Sequence, residues 1–387
     1  MRSRADRQDV PGRRKRLSEL AVVQFHLCSL LEHKNERPHY FKEPRIKGNL
    51  NMKKTSLLML AAVAALTLSG CGDKDSGAAG GKVAAKGSDA PQVVIYSNGD
   101  EEAQKAIKNA LDANGFKGKY LLQGFGTSEL GGKLVAEGKN IEADVVTLST
   151  YYLESLQKDR QMFQKLAFKL ETIDPMPDYY APILGQNGAL FVNTQVLAAD
   201  KLPMPKSIAD LAKPVYAGHI AVPSIMGSST AWLMTQALIS AYGEAEGVKI
   251  VKEIEKNAGA HLEMSGSGPL KKIRAGEVAV GFGVRHQAMA DKAKGLPIDC
   301  VDPTEGNYTY LESAAVVDKG AKTNPNAQKV VEIIIKKGRP ELIKYYPSAI
   351  YKGETIDAAD RPANPKYFSE PLTVELLQKH QKMVKGE

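Results

Sequence analysis

From residue 91 onward, short runs of consecutive apolar residues alternate with stretches whose apolar positions recur every three or four residues. Val93-Val94-Ile95-Tyr96 reads as a strand, followed by the turn Ser97-Asn98-Gly99-Asp100 and a helix over 101–113. In that helix Ala103, Ile107, Ala110 and Leu111 share one face, and Gly115 stops it. The same pattern predicts a strand over 120–125, a helix over 130–137 and strands over 143–148 and 188–193. After a stretch with Pro203, Pro205 and Pro214, a second series opens at Gly218. It has strands over 219–223, 278–284 and 298–301, and helices over 231–242, 248–256 and 270–275. A strand over 312–317, a helix over 326–337 and a polar helical tail near 374–384 complete the chain. Apolar strands alternating with amphipathic helices imply an α/β fold, with mixed, mainly parallel sheets covered by helices. No repeat of solenoid length is present. The economical layout is two-lobed: residues 91–187 with about 303–345 in one lobe, and 188–302 with part of the C-terminal tail in the other. Crossings near Gly188 and again near Asp302 make a hinge with two crossovers.

The first 90 residues follow other rules. Met52-Lys53-Lys54 opens a basic segment, and an apolar run continues to Leu68. That run is about 15 residues, short of the roughly 20 needed to cross a bilayer core. It ends in Leu68-Ser69-Gly70-Cys71, which resembles a bacterial lipobox with Cys71 as the lipid attachment residue. Residues 52–70 therefore read as a lipoprotein signal peptide and 71–90 as a flexible Gly/Ser/Asp tether. The protein is expected to be exported and lipid-anchored to the membrane, facing the periplasm or the cell exterior. Residues 1–51, with Arg13-Arg14-Lys15-Arg16 and no sustained periodicity, read as an extension upstream of a true start at Met52.

Composition changes the picture in one respect. The 387-residue chain carries a net charge of +8. Residues 1–70 hold 14 Lys and Arg against 6 Asp and Glu, so the remainder holds 38 of each sign. The body is electrically balanced, which removes the case for a nucleic-acid partner. Cys28, Cys71 and Cys300 are too dispersed for a metal motif or a disulfide framework. Cys300, in an apolar run, reads as a buried strand thiol.

Candidate chemistry lies in the turns. In open α/β sheets ligands sit beyond the carboxyl ends of strands, against helix N-termini. Four such junctions carry hydroxyls and glycine: Ser97-Asn98-Gly99-Asp100, Gly126-Thr127-Ser128-Glu129, Gly227-Ser228-Ser229-Thr230 and Ser265-Gly266-Ser267-Gly268. Any one of them fits ordinary N-capping. Four with one chemistry point to a shared cleft. Arg285-His286 follows directly on the strand over 278–284 and offers a guanidinium to an anion, with surface ion pairing as its alternative. The ligand-binding set is thus Ser97, Asn98, Thr127, Ser128, Ser228, Ser229, Thr230, Arg285 and His286. Tyr151-Tyr152 and Tyr179-Tyr180 read as packing or rim residues. The P-loop-like run at 127–134 lacks the first glycine and the Ser/Thr after Lys133, no G-x-S-x-G elbow is present, and the histidines are not spaced as metal pairs. No enzymatic activity, cofactor or metal is expected.

The chain resembles the bacterial ABC-transporter solute-binding proteins of the ferric-iron and 2-aminoethylphosphonate type. The resemblance spans about residues 91–370 and rests on Val94-Ile95-Tyr96-Ser97, on the run from Gly126 to Leu130, and on Ala143-Asp144-Val145-Val146. The runs Gly227 to Trp232 and Arg274 to Gly283 complete it. It implies a type II periplasmic-binding-protein fold, a monomer whose cleft closes over a small anionic ligand, and an ABC permease in the inner membrane as partner. Iron-binding members place two adjacent tyrosines where this chain has Arg285-His286, and a guanidinium repels a metal cation. The resemblance therefore implies a phosphonate such as 2-aminoethylphosphonate, whose ammonium would meet Asp100, Glu101 or Asp302. A ferric-iron-binding protein, or a binder of phosphate, sulfate or a carboxylate, stands as the alternative, ahead of a phosphate-handling enzyme.

Overall fold

The computed structural model describes residues 92–387. The extension at 1–51, the leader over 52–70, Cys71 and the tether lie outside the described residues. The chain opens with β1 (Val93–Ser97), α1 (Glu101–Leu111), β2 (Tyr120–Gly124), α2 (Thr127–Glu137), β3 (Val145–Ser149) and α3 (Thr150–Arg160). β1 lies between β2 and β3, parallel to both, so the helices between these strands act as crossovers. Asp100 caps α1 by accepting from Ala103 N at 3.1 Å, with Glu101 and Glu102 in the first turn and Lys108 in the last, the arrangement the helix dipole favours.

β4 (Ala181–Asn193) is twice as long as the pattern predicts. Its first seven residues include Pro182, Gly185, Gln186 and Asn187, which mask the strand signal. Pro182 sits at an irregularity in the register, where a missing N–H is tolerated. Ala181–Asn187 pairs with β9, whereas Gly188–Val192 pairs with β7, so β4 changes partners at Gly188.

Beyond it come α4 (Thr194–Ala199), β5 (Ile220–Pro223), α5 (Ser229–Tyr242), α6 (Glu244–Ala258), β6 (Leu262–Glu263) and α7 (Gly268–Ala275). Next follow β7 (Val280–Val284), α8 (Arg285–Ala293) and β8 (Ile298–Val301). β5 is parallel to β6 and β7, while β4 runs antiparallel to β7 and β8. The chain then returns through β9 (Asn307–Val316), which pairs antiparallel with both β4 and β3. It finishes with α9 (Ala327–Ile333), α10 (Arg339–Tyr345), β10 (Pro365–Lys366) and α11 (Val374–Lys385). The strand order β2-β1-β3-β9-β4-β7-β5-β6 shows two α/β lobes connected through the long strands β4 and β9.

Helices cover both faces. Ile107, Leu111, Val330, Ile334 and Leu342 pack on one face of the first lobe with Ile95, Val145 and Val316. In the second lobe Leu270, Ile273 and Ala288 pack with Phe191 and Ile298. A third cluster runs across the hinge, where the Tyr151 and Trp232 rings meet edge-on at 4.8 Å. α11 closes over it, and Trp232 Nε1 donates to Nδ1 of the buried His380 at 3.0 Å.

Candidate functional site

All four hydroxyl- and glycine-rich turns open onto one cavity of about 400 Å³ between the lobes. The first lobe supplies the cap of α1 and the start of α2; the second supplies the starts of α5 and α7. Each strand-to-helix junction leaves its first backbone N–H groups without intrahelical partners, with the positive end of the dipole aimed at the gap. The two walls touch: Thr127 Oγ1 lies 3.4 Å from Ser229 Oγ, and Ser128 N donates to the Gly227 carbonyl at 3.4 Å. Ser228 caps α5 by accepting from Thr230 N at 3.1 Å. Gly227 and Gly266 let the α5 and α7 turns nest: a Cβ on Gly227 would lie 2.5 Å from the Met264 carbonyl, and one on Gly266 would run into Thr230 Oγ1. A larger hollow of about 680 Å³, walled by Phe168, Leu170, Ile335, Pro340 and Ile343, gathers none of these turns.

The floor is formed by the connecting strands. Tyr310 and Glu312 on β9 and Gln186 on β4 face the cavity, joined by Gln287 from α8. Ser229 Oγ and Tyr310 OH are 2.8 Å apart. Asn98 Nδ2 donates to Glu312 Oε1 at 2.9 Å and to Thr127 Oγ1 at 3.1 Å. Burial, reinforced by the negative charge of Asp100, pushes the Glu312 carboxyl up to about 8, against the pull of the Asn98 hydrogen bond and of the nearby Gln186 amide. Burial likewise drives the Tyr310 phenol upward, so it faces the cavity as a neutral hydroxyl. The ionisable walls are acidic: Asp100, Glu129 and Glu312 stand against Lys271. Glu129 is occupied in capping α2, accepting from Gly126 N at 3.2 Å. Lys271 stays at the exposed mouth, 3.8 Å from Glu101.

Of the residues the sequence singles out, Asn98, Thr127, Ser228, Ser229 and Thr230 line the cavity. Ser97 shapes its turn from below, its Oγ accepting from Gly99 N at 3.0 Å and from Thr147 Oγ1 at 2.7 Å. The Ser128 hydroxyl turns to Tyr152. Arg285 and His286 require correction. Arg285 is buried away from the cavity, its Nε donating to Asp302 Oδ1 at 2.8 Å and Nη1 to the Asp360 carbonyl at 2.8 Å. Its carboxylate partner lies within the protein, so the guanidinium is not offered to a guest. The partly buried His286 ring packs edge-on against Tyr346 at 4.2 Å, and desolvation lowers its pKa to about 3. The tyrosine pairs belong to the packing: Tyr151 and Tyr152 are buried on α3, and Tyr180 OH donates to Glu154 Oε1 at 2.8 Å. Cys300 is a partly buried thiol on β8, raised to about 12 by desolvation.

The profile of the family described as bacterial extracellular solute-binding protein matches residues 143–349, over half of the chain. The chain belongs to this family. Members are binding proteins of the ABC-importer type, which take a small ligand outside the cytoplasm and work with a membrane permease. An uncharacterized protein of Haemophilus influenzae is 26% identical over 285 residues, 68% of this chain and 78% of that protein. The spermidine/putrescine-binding periplasmic protein of Escherichia coli is 28% identical over 233 residues, 54% of this chain and 62% of that protein. The periplasmic binding protein AfuA of Actinobacillus pleuropneumoniae, solved with fructose-6-phosphate, superposes with a TM-score of 0.57 at 20% identity, covering 67% of this chain and 84% of AfuA. Among the described residues no helix is long and apolar enough to cross a membrane.

The cleft of this solute-binding protein also uses residues that sequence reading passed over. Tyr310 and Glu312 are two apart on one strand and therefore share a face. A carboxylate in the middle of a strand, two residues from a tyrosine on the same face, was the available signal. Gln287 lies two residues beyond Arg285, on the side of α8 that reaches the gap. Chemically, the arrangement offers N–H and hydroxyl donors at helix starts and acidic or carbonyl oxygens at the floor. A guest with one negative and one positive end matches both.

Proposed function

We propose that this chain is the lipid-anchored solute-binding component of an ABC importer for a small zwitterion, an amine-bearing phosphonate such as 2-aminoethylphosphonate. One observation carries the reading: the starts of α2 and α5 face each other at Thr127 and Ser229 over a floor that carries the Glu312 carboxyl. The phosphonate group is received by the hydroxyls and N–H groups of the helix starts, among them Thr127, Ser228, Ser229 and Thr230. Its ammonium lies toward the floor. Arg285 has no part in this scheme. The names of the relatives support both ends of the guest: spermidine and putrescine carry ammonium groups, and fructose-6-phosphate carries a phosphate.

Closure over the guest follows from contacts to both lobes. A guest that prefers the closed arrangement by about 100-fold supplies roughly 2.7 kcal/mol toward it. The lipid anchor at Cys71 would keep the protein beside its permease, and mass spectrometry of the native protein tests it. A diacylglyceryl-modified Cys71 is expected, and a peptide from residues 17–45 would contradict a start at Met52.

A polyamine is the second reading, favoured by three carboxylates against one lysine around the cavity. Calorimetric titration with 2-aminoethylphosphonate, inorganic phosphate, putrescine and ferric citrate separates the options. The proposal expects heat with 2-aminoethylphosphonate and little with phosphate; binding of putrescine alone would replace it with the polyamine reading.

A further inference from the structure

Three oxygens in the cleft are buried and have no hydrogen-bond donor: Glu312 Oε2, Asn98 Oδ1 and Gln287 Oε1. All three residues line the same cavity, and Glu312 and Gln287 are 1% and 7% exposed. The orientations of the two amides follow from their neighbours. Asn98 Nδ2 is committed to Glu312 Oε1, and Gln287 Nε2 donates to Asp100 Oδ2 at 3.0 Å, so in each case the carbonyl end is left over. Buried acceptors without donors are costly, and a set lining one cavity marks what the missing partner must bring.

We propose that Glu312, Asn98 and Gln287 form a primary-ammonium subsite at the floor of the cleft, selecting guests that carry –NH3+ over the same anion without it. The inference deepens the phosphonate reading and rests on it for the anionic end of the guest. A primary ammonium has three donors and no acceptor, which matches three leftover acceptors. The other carboxylates are occupied. Asp100 Oδ1 accepts from Ala103 N and from Tyr346 OH, and its Oδ2 from Gln287. Asp302 is paired with Arg285. Of the amine receptors anticipated from the sequence, Asp100 and Asp302 have no oxygen left over in the way Glu312 has, and Glu101 is an exposed residue beside Lys271. A cation beside Glu312 also relieves the repulsion between that carboxyl and Asp100.

The test is a calorimetric comparison, on the full chain and its Glu312→Gln variant, of 2-aminoethylphosphonate, ethylphosphonate and putrescine, with melting temperatures as the folding control. The wild type is expected to bind 2-aminoethylphosphonate about 100-fold more tightly than ethylphosphonate, and the variant to reduce that ratio below about tenfold while leaving ethylphosphonate nearly unchanged. An unchanged ratio, or equal loss for both phosphonates, would overturn the subsite. If neither phosphonate binds, the phosphonate reading fails and putrescine decides the subsite: binding that collapses in Glu312→Gln upholds it, and no amine binding removes it too.

Discussion

Gln287 Nε2 donates to Asp100 Oδ2 at 3.0 Å, joining the start of α8 in one lobe to the cap of α1 in the other. The bond crosses the cleft at the depth where the guest's cation is placed. Gln287 therefore contributes twice, once to closure and once through its free carbonyl oxygen. Gln287→Leu preserves side-chain bulk and removes both contributions. Affinity for 2-aminoethylphosphonate is expected to fall about tenfold, equivalent to about 1.4 kcal/mol, measured by calorimetry. The melting temperature should move little, because the capping bond from Ala103 N to Asp100 persists.

The pH dependence of stability follows from Glu312. In the folded chain its carboxyl keeps its proton up to about pH 8, against an ordinary value of 4.5. Between those values the native state binds more protons than the unfolded one, so this group makes stability fall as pH rises from about 4.5 to 8. Around it stand Asp100, Glu129, Tyr310, Tyr151, Tyr346 and Lys271, of which Asp100 adds to the upward push. Urea melts at pH 5, 6.5 and 8.5 are expected to show this decline in the wild type and a flatter profile in Glu312→Gln. Parallel profiles would refute the assignment.

Affinity should show the opposite sign. An ammonium is held by the carboxylate form, so binding of 2-aminoethylphosphonate releases a proton from Glu312 and strengthens with pH below about 8. The rise approaches tenfold per pH unit well below that value, and should be steeper in the wild type than in Glu312→Gln. Calorimetry in buffers of different ionisation enthalpy measures the released proton directly.

Arg285 now carries a structural prediction. Arg285→Ala strips Asp302 of its cation and leaves the carboxylate with Asn307 Nδ2 at 2.8 Å and Ala363 N at 3.0 Å. Removing one partner of a buried pair costs about 3–5 kcal/mol. A large drop in unfolding free energy in urea is expected, with guest affinity of the remaining folded protein close to normal. Intact stability with lost affinity would return Arg285 to the cleft.

Gly266 tests the nesting of the turns. A methyl group there meets Thr230 Oγ1 at the start of α5. Gly266→Ala is expected to displace Thr230 and weaken binding by about tenfold or more, with a stability loss of about 1–3 kcal/mol. Wild-type affinity in calorimetry would show that Thr230 does not contact the guest.

The four turns were legible in the sequence because their signal is local: hydroxyls and glycine at the carboxyl ends of strands, each followed by a helix. The fate of Arg285 was not. Its partners are Asp302, 17 residues on, and the carbonyl of Asp360, 75 residues on, and only the folded chain brings them together. Glu312 was hidden for a similar reason, since a carboxylate in a strand signals an exposed edge unless the pairing on both sides is known. Here Ser149 and Leu184 flank it, which buries it. The first half of β4 was concealed by Pro182 and Gly185, whose local preferences oppose a strand that tertiary pairing nonetheless forms.

The central claim is that one guest spans the cleft, its anion at the helix starts and its ammonium at the floor. A crystal structure of the chain grown with 2-aminoethylphosphonate tests it most directly. The account predicts phosphonate oxygens within hydrogen-bond distance of Thr127 and Ser229, and the guest nitrogen against Glu312. A nitrogen pointing to solvent, or a guest seated away from these residues, would contradict it.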